Sequence, residues 1–174
     1  MVKMIKKVNR TICKVDKNGN KCLFTRHFNN LLHRKTNLAI ENNQPICQTD
    51  ESGTKRWILN GKLHRSDGPA IEELNGTQHW FRNGLLHRED GPAQEYFDGD
   101  KYWFFHGKYH REDGPAVEWA DEHKSWYIHN QRHRLDGPAI EYSDGTKEWW
   151  YQGKFINCSS QEEFEKLLKV KFLW

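Results

Sequence analysis

The chain lacks aliphatic runs. Only 36% of its residues are hydrophobic and mean hydropathy is −1.00. No window approaches the roughly 18 consecutive apolar residues of a membrane helix, so no membrane span is expected. It also lacks a cysteine framework: Cys13, Cys22, Cys47 and Cys158 include no C-x-x-C pair and no finger-like spacing, which argues against a disulfide scaffold or a zinc module. The basic start Met1-Val2-Lys3-Met4-Ile5-Lys6-Lys7 is not followed by the apolar stretch of a secretory leader. A soluble cytoplasmic protein with reduced thiols is the expectation.

What is present is aromatic. Thirteen per cent of residues are Phe, Trp or Tyr, including eight Trp, so burial must come from a few large rings, which suits strands and turns better than a helical bundle. A chain of 174 residues suits one domain. The net charge of +3 is unevenly spread: residues 1–52 carry +6, residues 53–153 carry −4 and the remainder +1. A basic head thus precedes an acidic body.

A fixed period organises that body. Trp57, Trp80, Trp103, Trp126 and Trp149 are spaced by 23, as are His64, His87, His110 and His133. Arg65, Arg88, Arg111 and Arg134 keep step, then Asp67, Asp90, Asp113 and Asp136, each followed by Gly-Pro-Ala, with Glu72, Glu95, Glu118 and Glu141 closing the blocks. A repeat of this length decides the architecture. Asn75-Gly76, Asp98-Gly99 and Asp144-Gly145 precede a Trp and Asn83-Gly84 follows one, a chemistry that suits type I′ hairpin turns. Asp-Gly-Pro marks a further turn, because proline can open a strand but not sit inside one. One unit therefore reads as a hairpin plus a connecting turn. A lone hairpin is marginal in water, so the units must stack. The expected fold is all-β: an elongated antiparallel sheet of stacked 23-residue β-hairpin repeats.

The ends depart from the period. Residues 31–41 echo residues 85–95 with Asp-Gly-Pro replaced by Thr36-Asn37-Leu38, which reads as a degenerate first repeat. About eight residues are inserted around Asn42 to Asp50, expected as a loop. At the other end Ser160-Gln161-Glu162-Glu163 has the form of a capping box, and Phe164, Leu167, Leu168 and Phe172 lie at helical spacing. The organisation is thus a basic N-terminal cap at 1–52, hairpin repeats at 53–154 and a short capping helix at 155–174.

Gly145-Thr146-Lys147-Glu148-Trp149-Trp150-Tyr151-Gln152-Gly153-Lys154 shows the pattern Gly-x-x-x-Trp-aromatic-x-x-Gly-Lys, which resembles MORN-type repeats over residues 53 to 154. The His-Arg-x-Asp-Gly-Pro-Ala block is similar to a variant found in uncharacterised repeat proteins of tailed phages and giant DNA viruses, and Asn157-Cys158-Ser159-Ser160 is similar to the tails of the phage proteins. The resemblance implies a binding scaffold without shared enzymatic activity. A phage origin would imply host cytoplasm and contact with host machinery or defence. The His-Arg block replaces the Gly-x-Gly element of the common pattern, so a lipid-binding role transfers poorly.

The His-Arg-x-Asp strings resemble a kinase catalytic loop only superficially, since an active site is one asymmetric constellation and this string recurs without a phosphate loop. Equivalent histidines on a stacked sheet stand about 10 Å apart, whereas zinc ligands lie about 2 Å from the metal, so the four cannot share one ion. Neither a metal nor a cofactor is expected. The structural reading has Arg pairing with Asp or with the Glu of a neighbouring unit, Asp capping the Gly-Pro turn and His packing beside Trp. The Trp column is expected as core. The adjacent column Phe81, Phe104, Tyr127 and Trp150, with the ladder Arg65, Arg88, Arg111 and Arg134, is the candidate surface for a protein partner. Nucleic acid or nucleotide binding is the alternative, through Arg-His pockets or the basic head, where Lys3, Lys6, Lys7 and Arg10 are candidate phosphate contacts. Free terminal strands make a homodimer through the sheet edge a further expectation.

Overall fold

Gly, Pro or Asn interrupts residues 53–153 every few positions, so strands there must be short, and in the computed structural model most are two residues long. The structure describes residues 10–15, 21–26 and 44–172. It is an open sheet, antiparallel apart from one parallel bridge between Cys22 and Cys47, followed by one helix. From the N-terminal edge the sheet runs through Arg10–Val15, Lys21–Arg26, Ile46–Thr49 and Lys55–Leu59, then through pairs of short strands such as Ile71–Glu72, Gln78–His79, Gln94–Glu95 and Lys101–Tyr102, to Lys147–Tyr151 and Lys154–Ile156. The expected degenerate repeat at 31–41 lies outside the described residues. The segment expected as a loop around Asn42 to Asp50 contains a strand, Ile46–Thr49, because Cys47 pairs with Trp57 and is wholly buried beside it.

Each unit contributes two hairpins rather than one. At Trp80, Trp103 and Trp126 the chain leaves the main sheet and forms a side hairpin, Phe81–Arg82 with Leu85–Leu86, Phe104–Phe105 with Lys108–Tyr109, and Tyr127–Ile128 with Gln131–Arg132. Two turn types divide the work. The side-hairpin turns are type I′, with positive φ at both central residues: 54° and 84° at Asn83-Gly84, 50° and 75° at His106-Gly107, 49° and 67° at His129-Asn130. The turns before each Trp are not type I′, contrary to the expectation. In each of them a single residue, Gly53, Gly76, Gly99 or Gly145, with Glu122 in their place once, has positive φ, and the Gly76 N–H donates to Glu73 O, as in a type I turn closed by a left-handed residue. Asn or Asp is used there for its side chain: Asn75 Oδ1 accepts the Thr77 N–H, and Asp98, Asp121 and Asp144 repeat the bond to Asp100, His123 and Thr146.

The backbone ladder sets Trp and Ala side by side. The N–H groups of Trp57, Trp80, Trp103 and Trp126 donate to the carbonyls of Ala70, Ala93, Ala116 and Ala139 at 2.7–2.9 Å. All four alanines are completely buried, so this row alternates the largest side chain with one of the smallest. A second row alternates charge: Glu72, Glu95, Glu118 and Glu141 each lie between Lys or Gln neighbours drawn from Lys55, Gln78, Lys101, Lys124 and Lys147. Cross-strand pairs of this kind are worth about 0.2–1 kcal/mol each and penalise a slipped register.

The last hairpin is covered by the helix Gln161–Phe172. Ser160 Oγ accepts the Glu163 N–H, and Glu163 reaches back to the N–H of Ser159 rather than that of Ser160, a capping box displaced by one residue. Phe164 is fully buried with Trp149 and Ile156, and Leu167 and Leu168 pack beside them.

The alanine row gives a direct test. Ala116→Leu should cost about 1–3 kcal/mol by overpacking, whereas Ala120→Leu, on an exposed turn tip where the preceding units carry Phe97 and Leu74, should change stability by less than about 0.5 kcal/mol. Urea unfolding of both variants measures the difference.

Candidate functional site

An arginine guanidinium sits over a tryptophan ring in each of the four His-Arg-x-Asp-Gly-Pro-Ala units. The guanidinium carbons of Arg65, Arg88, Arg111 and Arg134 sit 4.0–4.2 Å from the ring centroids of Trp57, Trp80, Trp103 and Trp126. The same group makes three fixed hydrogen bonds. In unit three, Arg111 Nε donates to Asp113 Oδ1 at 2.9 Å, and Nη1 donates to Pro115 O at 3.3 Å and Glu118 Oε1 at 3.0 Å. Arg65, Arg88 and Arg134 repeat all three bonds. The glutamate belongs to the arginine's own unit, not to a neighbour as expected. It is Arg, not His, that covers Trp. Asp orients the guanidinium, and the arginine closes the Gly-Pro turn by binding the proline carbonyl. Hydrogen bonding from Arg88, Arg111 and Arg134 holds the carboxyls of Asp90, Asp113 and Asp136 below the usual carboxylate range.

This packing explains the glycine of Asp-Gly-Pro. Its φ is not in the left-handed region, yet a Cβ at Gly68, Gly91, Gly114 or Gly137 would lie 2.7–2.9 Å from the arginine Cζ. Glycine is favoured there because a side chain would push the guanidinium away from the hydrogen bonds that hold it. The fifth tryptophan, Trp149, has no such arginine, since Asn157 stands 23 residues after Arg134, and Phe164 from the helix packs against it instead.

Histidine joins successive units. Nδ1 of His64, His87, His110 and His133 accepts the backbone N–H of Asn83, His106, His129 and Gln152, each 19 residues on, at 3.1–3.3 Å. Every acceptor thereby pins the first left-handed residue of the next type I′ turn. Burial lowers the His110 imidazole below its ordinary value, assisted by stacked His129 and opposed by Glu112, and burial lowers His133. Among the described residues no three His, Cys, Asp or Glu side chains gather as metal ligands.

The column proposed as a contact surface is partly covered. Phe104 is buried, while Phe81, Tyr127 and Trp150 are half-buried, with Phe81 packed against the cluster of Trp57, Ala70 and Cys47. The ladder is covered too: Arg65 is buried, and the side chains of Arg88, Arg111 and Arg134 keep only about a fifth of their surface. Lys3, Lys6 and Lys7 lie outside the described residues, and Arg10 begins the first strand. Residues not singled out from sequence extend the aromatic column. Ring contacts link Tyr96 to Tyr102, Tyr102 to Trp119 and Tyr109, and Tyr109 to Phe104 and Tyr127, at 4.3–6.4 Å between centroids. Tyr96, Trp119 and Tyr142 are themselves spaced by 23, a signal available in the sequence. Burial and a hydrogen bond to Asp100 push the Tyr102 phenol far up, so it remains a donor at neutral pH. Phe155, opposite Trp150 and about half exposed, brings the column to the surface.

No protein-family model matches the chain, and no curated protein matches it.

A double-mutant cycle isolates the arginine–glycine contact. Gly114→Ala should destabilise by about 1–3 kcal/mol, and most of that cost should disappear when Arg111 is already Ala. Denaturant unfolding of the wild type, both single variants and the double variant measures the coupling.

Proposed function

We propose that this chain is a non-enzymatic binding scaffold of MORN type, encoded by a virus, that engages a host protein in the cytoplasm and blocks or redirects a defence or housekeeping factor. One observation carries the reading. The polar groups of the His-Arg-x-Asp-Gly-Pro-Ala motif are engaged internally in every unit, arginine by ring, carboxylate and carbonyl, and histidine by a backbone N–H. A motif occupied in this way supports architecture, and recognition falls to the surface between motifs. There the half-buried rings of Phe81, Tyr127 and Trp150, continued by exposed Phe155, offer a rigid aromatic face suited to protein contact.

Affinity capture from host lysate with the full chain as bait tests the proposal. It predicts a discrete protein partner whose retention is insensitive to moderate salt. Phe155→Ser should weaken capture about tenfold or more, by removing an interface ring worth about 1.4 kcal/mol or more, while the thermal midpoint falls by only a few degrees through loss of the cross-strand ring contact with Trp150. Recovery of nothing above a scrambled-sequence control overturns the reading. Retention that falls steeply with salt and follows Lys3, Lys6 and Lys7 would instead support nucleic-acid binding by the basic head.

A further inference from the structure

The four registered histidines do no work in the proposed recognition surface, yet each makes the same bond between units. A neutral imidazole can accept a hydrogen bond at Nδ1, whereas an imidazolium presents an N–H at both nitrogens and can accept none. Placing Nδ1 against a backbone N–H therefore makes the bond conditional on the neutral ring. From these contacts we propose that His110 and His133 form an acid-release clamp: protonation ejects the N–H groups of His129 and Gln152 and loosens the two turns that carry them, at the tip of the unit-four side hairpin and of the last hairpin of the main sheet, while the bonds of the Asn130 and Gly153 N–H groups to the carbonyls of Tyr109 and Arg132 stay made.

The surroundings of the two rings bear on their protonation. His110 Nδ1 lies 3.3 Å from the His129 nitrogen, and the two rings stack with centroids 4.3 Å apart, so a charge on either ring is unfavourable for the other. Glu112 Oε1 stands 3.7 Å from His110 Nε2 and is 85% exposed, so its attraction for an imidazolium is screened by solvent. Phe105 completes the pocket at 5.8 Å. His133 Nδ1 lies 3.2 Å from the Gln152 nitrogen and its ring packs on Tyr151, whose cross-strand neighbour is Lys154. The other two clamps carry additional polar neighbours. His87 Nε2 meets Glu89 at 3.1 Å and Arg82 at 3.3 Å, and His64 Nδ1 lies 2.9 Å from Asn83 Oδ1.

The sign follows from the lowered imidazoles. In the opened form each titrates near the ordinary 6.5, in the clamped form lower, so the opened form binds more protons below that pH. The clamp is fully effective above pH 6.5 and weakens as pH falls through that value. The arginine-paired aspartates respond in another window: they stabilise the fold above their ordinary 3.8 and lose that effect only as pH falls through still lower values.

Amide hydrogen exchange on the full chain, corrected for the intrinsic pH dependence, tests the clamp. Between pH 7.5 and 5.5 protection at His129 and Gln152 should fall by up to about tenfold, the limit for one proton bound one unit below 6.5. Protection at Trp103 and Trp126, whose N–H groups donate to Ala116 and Ala139, should hold. In His110→Asn the amide oxygen can accept the same bond at any pH, so protection at His129 should become independent of pH. Equal loss at the tryptophan and turn amides, or unchanged pH dependence in His110→Asn, would overturn the proposal. Either result leaves the outcome of the partner capture unaffected.

Discussion

A guanidinium laid on an indole is the constraint on which the other features of the repeat depend. The stack fixes the arginine, and the fixed arginine then sets its neighbours. Asp must stand two residues on to meet Nε, the proline carbonyl must turn inward to meet Nη1, and Glu must lie on the next strand. Gly is favoured before that proline because a side chain would push the guanidinium away. Cation–π contacts are worth about 0.5–1 kcal/mol when exposed and about 2 kcal/mol when desolvated. Four such stacks, each desolvating a guanidinium held by three hydrogen bonds, offer stability and register to strands too short to hold either alone.

Much of this was legible before any coordinates. The 23-residue spacing of Trp, His, Arg, Asp and Glu marked stacked β units, and the Ser160–Glu163 signal with Phe164, Leu167 and Leu168 marked a terminal helix over the last hairpin. Less visible was which partner each repeated polar group takes. Sequence spacing cannot distinguish Arg111 with Glu118 of its own unit from a glutamate of a neighbouring unit, because arginine and glutamate both recur every 23 residues. Likewise Asp98-Gly99 and Asn83-Gly84 look alike as dipeptides. They diverge because the strands flanking Asn83 demand two left-handed residues, while those flanking Asp98 close through a single glycine.

The candidate surface was half legible. Alternation along the strand placed Phe81, Phe104, Tyr127 and Trp150 on one column, but it did not disclose that the chain turns out of the main sheet at Trp80, Trp103 and Trp126. That departure brings Tyr109 of a side hairpin to within 6.4 Å of Tyr102 of the main sheet and covers rings expected to be free. Histidine's role was hidden for the same reason, since a bond from His110 to a turn 19 residues away requires the second row of hairpins.

The arginine Nε–H resonances of the folded chain test the central claim most directly. If each guanidinium lies over its indole with Nε bonded to Asp, then Arg65, Arg88, Arg111 and Arg134 should give separate, slowly exchanging Nε–H signals, each with a cross-relaxation contact to its own tryptophan ring. Four overlapping, rapidly exchanging signals at the position of free arginine would contradict the account.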